Sequence, residues 1–417
     1  MKKVKVVALV PAYNEAETIK RTVASLMNQT YPFEFILVIA NNCTDDTVKI
    51  VRRLRAKYRS KGGFPELKLM VMKNNKGKKS GALNAGFATV KKNIDFIFGM
   101  DGDTIIDHRM VEEGLKQFAV EPTTGGICSA YRTLPLKENA SHWERFLWRL
   151  QNIEFILANA WRVENYKSAR VLPGVSVMFR TEALNDVAAL EVIVERTTKK
   201  LAKSSIHLNY RQLTRKVRAQ SLLAFKDYKS QKGAINRLLR SKKIPEVWAT
   251  HSLVEDYHLT LDLKDLGWQV KSSLDMISWS DVPLKLRGKG GLWDQRQRWY
   301  SGTVDEIRLR RLKKHSRYEI FTIVLLMVNL VMTLLLISAY LTLVVESVPI
   351  IWVSYFLILP VLASMTSIYR LKGGDQLDKW QKLFTATIII NELYAFYREL
   401  IYAYSIWVSY SKPDREW

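Results

Sequence analysis

In the first 105 residues, apolar runs alternate with stretches of helical period, and no other feature of the chain limits its fold as strongly. KVKVVALVPAYNE reads as a buried strand ending in a turn, and EAETIKRTVASLMNQ carries Ile19, Val23 and Leu26 at helical spacing. The pattern repeats with FEFILVIANNCTDDT, TVKIVRRLRAKY, LKLMVMKNN, KSGALNAGFATVKK and NIDFIFGMDGDT. An α/β fold with a doubly wound, mostly parallel sheet is expected. Ligands of such sheets bind at the C-terminal strand ends. The polar clusters fall there, at Asn14 and Glu15, at 41–46 and at 101–103.

The 417 residues allow one large domain and something smaller. A net charge of +24 points to acidic partners: anionic lipid, phosphorylated small molecules or nucleic acid. Two cysteines, Cys43 and Cys128, exclude a disulfide framework. The N-terminal apolar run is too short for a signal peptide and ends in Pro11, so the folded part is expected to begin in the cytosol. Residues 185–245 are strongly basic and loosely helical. They read as a solvated insertion or as a surface for anionic headgroups. Without interleaved aromatics they do not read as a nucleic-acid site.

The last hundred residues differ. Residues 321–345 carry no charge and are long enough to cross a bilayer core of about 30 Å. A second apolar run covers 348–369, and a third, 383–410, contains Glu392, Arg398 and Glu399. Arg308, Arg310, Arg311, Lys313, Lys314 and Arg317 precede the first run, and Arg370, Lys372, Lys379 and Lys382 separate the second and third. By the positive-inside rule the large N-terminal part and the connector between the second and third runs face the cytosol. If the third run crosses rather than lying in the interface, the C-terminus is on the opposite side. An integral membrane protein with a lipid bilayer as partner is expected.

Three short stretches can carry chemistry. In MDGDT, Asp101 and Asp103 lie two apart at a strand end, where both can grip one hard cation such as Mg²⁺ or Mn²⁺; Asp-Gly-Asp also makes ordinary turns. In SLVEDYHL, Ser252 and Glu255 have capping-box spacing, which starts a helix and leaves Glu255 either a cap or a site residue. Asp256 follows in the first turn, where the macrodipole favours the ionised form that can take a proton from a hydroxyl. In QRQRW, Gln295, Arg298 and Trp299 share one helix face. There a guanidinium can neutralise a diphosphate and an indole can stack on a sugar ring, or the stretch is an interfacial belt. Arg296 and Gln297 point elsewhere and read as surface residues. LRGKGG, just upstream, reads as a phosphate lid or a connector.

Taken in order, PAYNE, CTDDT, KSGALNAG, DGD, LPGVSVMFRTEAL, VED and QRQRW resemble the inverting glycosyltransferases of family 2, in particular the membrane-embedded hyaluronan, chitin-oligosaccharide, poly-N-acetylglucosamine and cellulose synthases. The likeness covers 4–184 and 246–305. It implies a GT-A fold, a nucleotide-sugar donor that is usually a UDP-sugar, a divalent cation, and a sugar-chain or lipid acceptor. By that likeness Pro11, Ala12, Tyr13, Glu15, Asn41, Lys79 and Asp101 bind the nucleotide sugar, and Asp103 holds the metal. Gly174, Val175 and Ser176 line the acceptor side, with Glu255 beside them. Asp256 is the general base, and Gln295, Arg298 and Trp299 hold the diphosphate and acceptor sugar.

The implied organisation is a nucleotide-sugar part over 1–184, the basic insertion over 185–245, an acceptor-side part with interface helices over 246–317, and a membrane domain over 318–417. Three departures stand out: Asn41 where the family commonly has Asp, Val254 where Thr is common, and the insertion itself. The expected product is a β-linked polysaccharide. Transfer of one sugar to a lipid or protein, or an inactive scaffold, are the other readings.

Overall fold

The computed structural model describes residues 3–411 other than 91–92, 165–168, 203–209, 232–234, 236–237, 240–243, 245, 311–313, 347–376 and 387. It divides into two compact units, 1–132 with 162–281, and 133–161 with 282–417.

The first unit is built on an eight-stranded sheet of order β3-β2-β1-β4-β7-β6-β8-β5. Its strands are β1 (Val6–Ala12), β2 (Phe35–Asn41), β3 (Glu66–Met72), β4 (Phe96–Met100), β5 (Ile105–Ile106), β6 (Thr124–Thr133), β7 (Ser176–Arg180) and β8 (Gln269–Ser280). The four strands from β3 to β4 are mutually parallel, whereas β7 runs antiparallel to β4 and β6, and β8 antiparallel to β5. The sheet is therefore mixed, which corrects the mostly parallel expectation. Beyond β4 the βαβ rhythm ends.

Every residue of β1, β2 and β4 is buried because both faces of the sheet are covered, which is why these strands read as unbroken apolar runs. Alternate side chains serve opposite layers. Val6, Ala8 and Val10 pack with α1 (Ile19–Met27), α2 (Thr47–Lys61) and α4 (Met110–Val120). Val7 and Leu9 pack with α3 (Lys78–Ala88), α6 (Thr181–Ala202) and α8 (Glu255–Asp265). Helix α7 (Tyr210–Ser230) packs on α6 through Phe225 against Leu190 and Ile193. The chain returns from this region at Val247 and Trp248, whose N–H groups donate to Asn84 Oδ1 at 2.9 and 3.0 Å; Asn84 Nδ2 donates back to the Trp248 carbonyl at 2.8 Å.

The second unit contains α5 (His142–Glu164), α9 (Leu292–Leu309), α10 (Lys314–Glu346), α11 (Lys379–Ala386) and α12 (Ile388–Ser411). Among the described residues no helix is long and apolar enough to cross a membrane. The apolar run at 348–369 lies outside the described residues. The run at 383–410 falls on α11 and α12, and α12 carries a buried polar face. Glu399 accepts from Asn329 at 2.6 Å, Ser405 donates to the Gln297 carbonyl at 3.4 Å, and Ser409 accepts from Arg308 at 2.9 Å. The expectations of C-terminal spans, membrane embedding, and an integral membrane protein with cytoplasmic catalytic part and opposite C-terminus are corrected accordingly.

Asn84 tests how the first unit holds its returning chain. Replacing it with Ala strands two buried N–H groups, each costing roughly 1–3 kcal/mol. Asn84→Ala is expected to lose about 2–4 kcal/mol in urea unfolding. A loss under about 0.5 kcal/mol would show that water replaces these bonds without penalty.

Candidate active site

The parallel strands β2, β1 and β4 point their C-terminal ends the same way, and the implied site residues of the first unit sit there and on adjoining helix starts. Pro11, Lys79, Asp101, Gly174, Glu255 and Asp256 line one cavity with about 360 Å³ of space, part of it open to solvent. Leu83, Trp248 and Leu259 are among the apolar residues of its wall.

Lys79 lies in the first turn of α3. The turn before it is fixed by Asn75, whose Oδ1 accepts from Gly77 N at 3.0 Å and whose Nδ2 donates to the Lys78 carbonyl at 2.8 Å. Lys79 Nζ is 2.5 Å from Asp101 Oδ1 and 3.4 Å from Glu255 Oε1. Burial works against its charge, but Asp101, Glu255 and Asp256 outweigh it and push the ammonium above the usual lysine range. A Cβ on Gly174 would lie 2.8 Å from this ammonium, so only a glycine leaves the lysine its place.

Asp256 is held from two sides. Gly174 N donates to its Oδ2 at 3.2 Å and Tyr257 N to its Oδ1 at 2.7 Å. Thr260 ties the same pieces together, donating to the Asp256 carbonyl at 2.6 Å and accepting from Leu172 N at 2.9 Å. Burial, then repulsion from Glu255, raises the Asp256 carboxyl to about 6 against the pull of Lys79 and the two N–H groups. The macrodipole was expected to favour the ionised form; burial and Glu255 act in the opposite direction and raise the carboxyl. The capping box is corrected as well. Helix α8 starts at Glu255 with Val254 at the N-cap, and Ser252 Oγ accepts from Val254 N at 3.3 Å instead.

Asp103 lies beside the β4 end with Glu15 from the β1 end. Burial, then Asp101, Glu15 and Asp281, pushes Asp103 up to about 7. Glu15 is raised by burial despite a hydrogen bond from Thr18, with Asp101, Asp281 and Asp45 adding to the rise. Carboxylates crowded this way suit a divalent cation, which binds one or two of them and completes its shell with phosphate oxygens. The other candidate ligand group among the described residues, Glu191, His258 and Asp262, has its ligand atoms within 4.8 Å. Arg218 already pairs with Asp262, with Asp265 at 3.5 Å and with Glu191 at 4.0 Å, so a guanidinium supplies the positive charge there.

The remaining residues fall as follows. Tyr13 is exposed and Ala12 buried at the β1 end. Asn41 is buried, and its Oδ1 accepts from Asn75 Nδ2 at 2.7 Å. Because both ends of the Asn75 amide are engaged by backbone, the oxygen of Asn41 must face it. Val175 accepts from Asp101 N at 3.2 Å. Ser176 is buried and bonded to Ser129 at 2.5 Å. Gln295, Arg298 and Trp299 stand on α9 of the second unit, Arg298 exposed and without an ion pair among the described residues. Arg296 and Gln297 are buried, which corrects their reading as surface residues. Asp281 and Asn75 were missed; a carboxylate ending a strand, as Asp281 does after SWS, is the signal that could have found the first.

The family model described as glycosyl transferase family 2 matches residues 7–187. Poly-beta-1,6-N-acetyl-D-glucosamine synthase of Staphylococcus epidermidis is 23% identical over 319 residues, 74% of this chain and 58% of the relative. The synthase of the same name from Staphylococcus aureus strain COL is 21% identical over 330 residues, 78% of this chain and 61% of the relative. The chain thus spans less than two thirds of the length of these curated relatives. The solved structure of mannosyltransferase PcManGT from Pyrobaculum calidifontis, in complex with GDP-Man and Mn²⁺, covers 96% of this chain and 87% of its own at 15% identity and a TM-score of 0.47. Residues 7–187 thus match the family 2 glycosyltransferase model, and the fold that carries them is α/β with a mixed sheet.

The geometry sets the direction of one titration. Lys79 lowers the Asp256 carboxyl, so in Lys79→Met that carboxyl, followed by carboxyl-carbon NMR, should titrate above the wild-type value of about 6. An unchanged or lower midpoint would mean that the lysine does not act on it.

Proposed function

We propose that the protein transfers a sugar from a nucleoside-diphosphate sugar to an acceptor hydroxyl, with inversion at the anomeric carbon. The observation that carries the reading is the cavity in which a buried carboxyl raised to about 6 stands with a lysine and a strand-end aspartate. A base poised near the working pH suits proton removal from a hydroxyl. A lysine held charged suits a phosphate-bearing donor.

In the proposed step Asp256 takes the proton of the acceptor hydroxyl. The acceptor oxygen forms its bond to the anomeric carbon as the bond to the diphosphate oxygen breaks, and the nucleoside diphosphate leaves with the electron pair. An α-linked donor gives a β-linked product. Pro11, Ala12, Tyr13, Glu15 and Asn41 are assigned to the nucleotide, with Lys79 and Asp101. Gly174, Val175, Ser176 and Glu255 are assigned to the acceptor side. Gln295, Arg298 and Trp299 are assigned to the diphosphate and the acceptor sugar. Asp103, with Asp101, would hold Mg²⁺ or Mn²⁺, which when bound neutralises charge on the diphosphate. The names of the poly-beta-1,6-N-acetyl-D-glucosamine synthases among the relatives support a β-linked polysaccharide product, and the motif resemblance supports a UDP-sugar donor.

Purified protein given a panel of nucleotide sugars with Mg²⁺ or Mn²⁺ is expected to release nucleoside diphosphate together with a product of increased mass. A ladder of masses supports polymerisation, and a single addition removes it. Asp256→Asn should lower turnover by at least about 100-fold. Below pH about 6 kcat/KM should fall about tenfold per unit, because protonation removes the base. Unchanged turnover in Asp256→Asn would take the base away from this residue. Loss of turnover on chelation, restored by either cation, is the expected metal response; indifference to chelation removes the metal assignment.

A further inference from the structure

Residues 172–175, the stretch that leads into β7, are bonded on two sides within the first unit. On one side Leu172 N donates to the Thr260 hydroxyl at 2.9 Å and Gly174 N donates to Asp256 Oδ2 at 3.2 Å. On the other, the Val175 carbonyl accepts from Asp101 N at 3.2 Å. This short piece of backbone therefore joins the start of α8 to the end of β4 and holds Asp256 and Asp101 to one frame.

Thr260 anchors that frame on the helix side. It is fully buried and lies one turn after Asp256 on α8. Its hydroxyl donates to the Asp256 carbonyl at 2.6 Å, the backward bond that a threonine in a helix can make. A hydroxyl has one proton, and with that proton committed Oγ1 offers Leu172 N a lone pair. The side chain is thus fixed in one direction by two bonds. Asp256 depends on the result. Its Oδ1 is bonded inside the helix start, to Tyr257 N at 2.7 Å, whereas Oδ2 takes its bond from Gly174 N, two residues after Leu172. Without the Thr260 hydroxyl the Leu172 N–H loses its acceptor in the interior, and a stretch that moves to find another carries the Gly174 N–H with it.

We propose that Thr260 is a positioning residue for the displacement: through Leu172 it holds the Gly174 N–H on Asp256 Oδ2, and so sets the direction from which Asp256 receives the hydroxyl proton. This inference rests on the proposed glycosyl transfer. The Gly174 N–H favours the ionised carboxyl, so its loss raises the Asp256 carboxyl. A threonine that served stability alone would leave that titration where it is.

The test is Thr260→Val in the full chain, which keeps the branched shape and removes the hydroxyl, with folding checked by circular dichroism. Turnover, kcat, should fall about tenfold while donor KM changes less than about threefold. The acid limb of kcat/KM, and the Asp256 titration followed by carboxyl-carbon NMR, should both move up by about half a pH unit or more. Thr260→Ser, which keeps the hydroxyl, should bring back the limb and most of kcat. A folded Thr260→Val with wild-type kcat and titration overturns the inference, as does a fall in kcat with the titration unmoved. If Thr260→Val does not fold, Thr260→Ala carries the same test; if neither folds, the hydroxyl serves folding and the positioning role is lost. The failures are separable. A wild-type protein that releases no nucleoside diphosphate from any sugar donor overturns the proposed activity, and this role with it. A wild type that turns over donor while Thr260→Val changes neither kcat nor the titration overturns the positioning role alone.

Discussion

The ammonium of Lys79, surrounded by the carboxylates of Asp101, Glu255 and Asp256, holds the first unit's cavity together. Those acids come from the end of β4 and the start of α8, and without a cation between them like charges would be left crowded in a partly buried space. The arrangement constrains its surroundings. A side chain at Gly174 would displace the Lys79 ammonium, which lies 2.8 Å from where its Cβ would sit. Asp256 can stay near the lysine and still be raised to about 6, because burial and Glu255 outweigh the attraction. The proposed transfer asks for positive charge beside a carboxyl that can take a proton, and the cavity sets Lys79 next to Asp256.

The rest of the unit places these groups through hydrogen bonds from buried or loop side chains. Asn75 fixes the turn before Lys79 and takes the Asn41 oxygen, Asn84 catches the chain where it returns at Trp248, and Thr260 ties α8 to the segment before β7. Polar side chains that satisfy backbone groups across such sequence distances give loops one conformation, since leaving their partners unpaired in the interior is costly. In the second unit Glu154 gathers α5, α9 and α12 in the same manner, with charge in place of amide.

Half of the sheet was legible in the sequence. Strands β1, β2 and β4 are covered on both faces and so announce themselves as continuous apolar runs, with helical spacing between them. Strands β6, β7 and β8 were not read. TGGICSAYRT opens on two glycines and QVKSSLDMISWS mixes polar and apolar residues, so neither stands out from its surroundings. Their antiparallel order depends on long connections that local periodicity does not encode. Lys79, Asp101 and Asp256 were found because motif and position coincide, but their mutual distances come from tertiary packing. The rise of the Asp256 carboxyl was not legible, because the macrodipole is visible in sequence and burial is not. Arg296 was misjudged for a related reason: helical phase placed it away from the Gln295 face, and nothing local showed that Glu154 waits on that side. The apolar C-terminal runs suggested lipid, whereas Arg398 and Glu399 of α12 meet Glu154 and Asn329.

The account turns on one base acting in one displacement, and the anomeric configuration of the first product formed tests that most directly. With an α-linked nucleotide sugar as donor, proton NMR of the product before any equilibration should show a β-linkage. An α-linkage would require two displacements through a covalent intermediate or front-face attack, and would contradict the role given to Asp256 and the cavity around it.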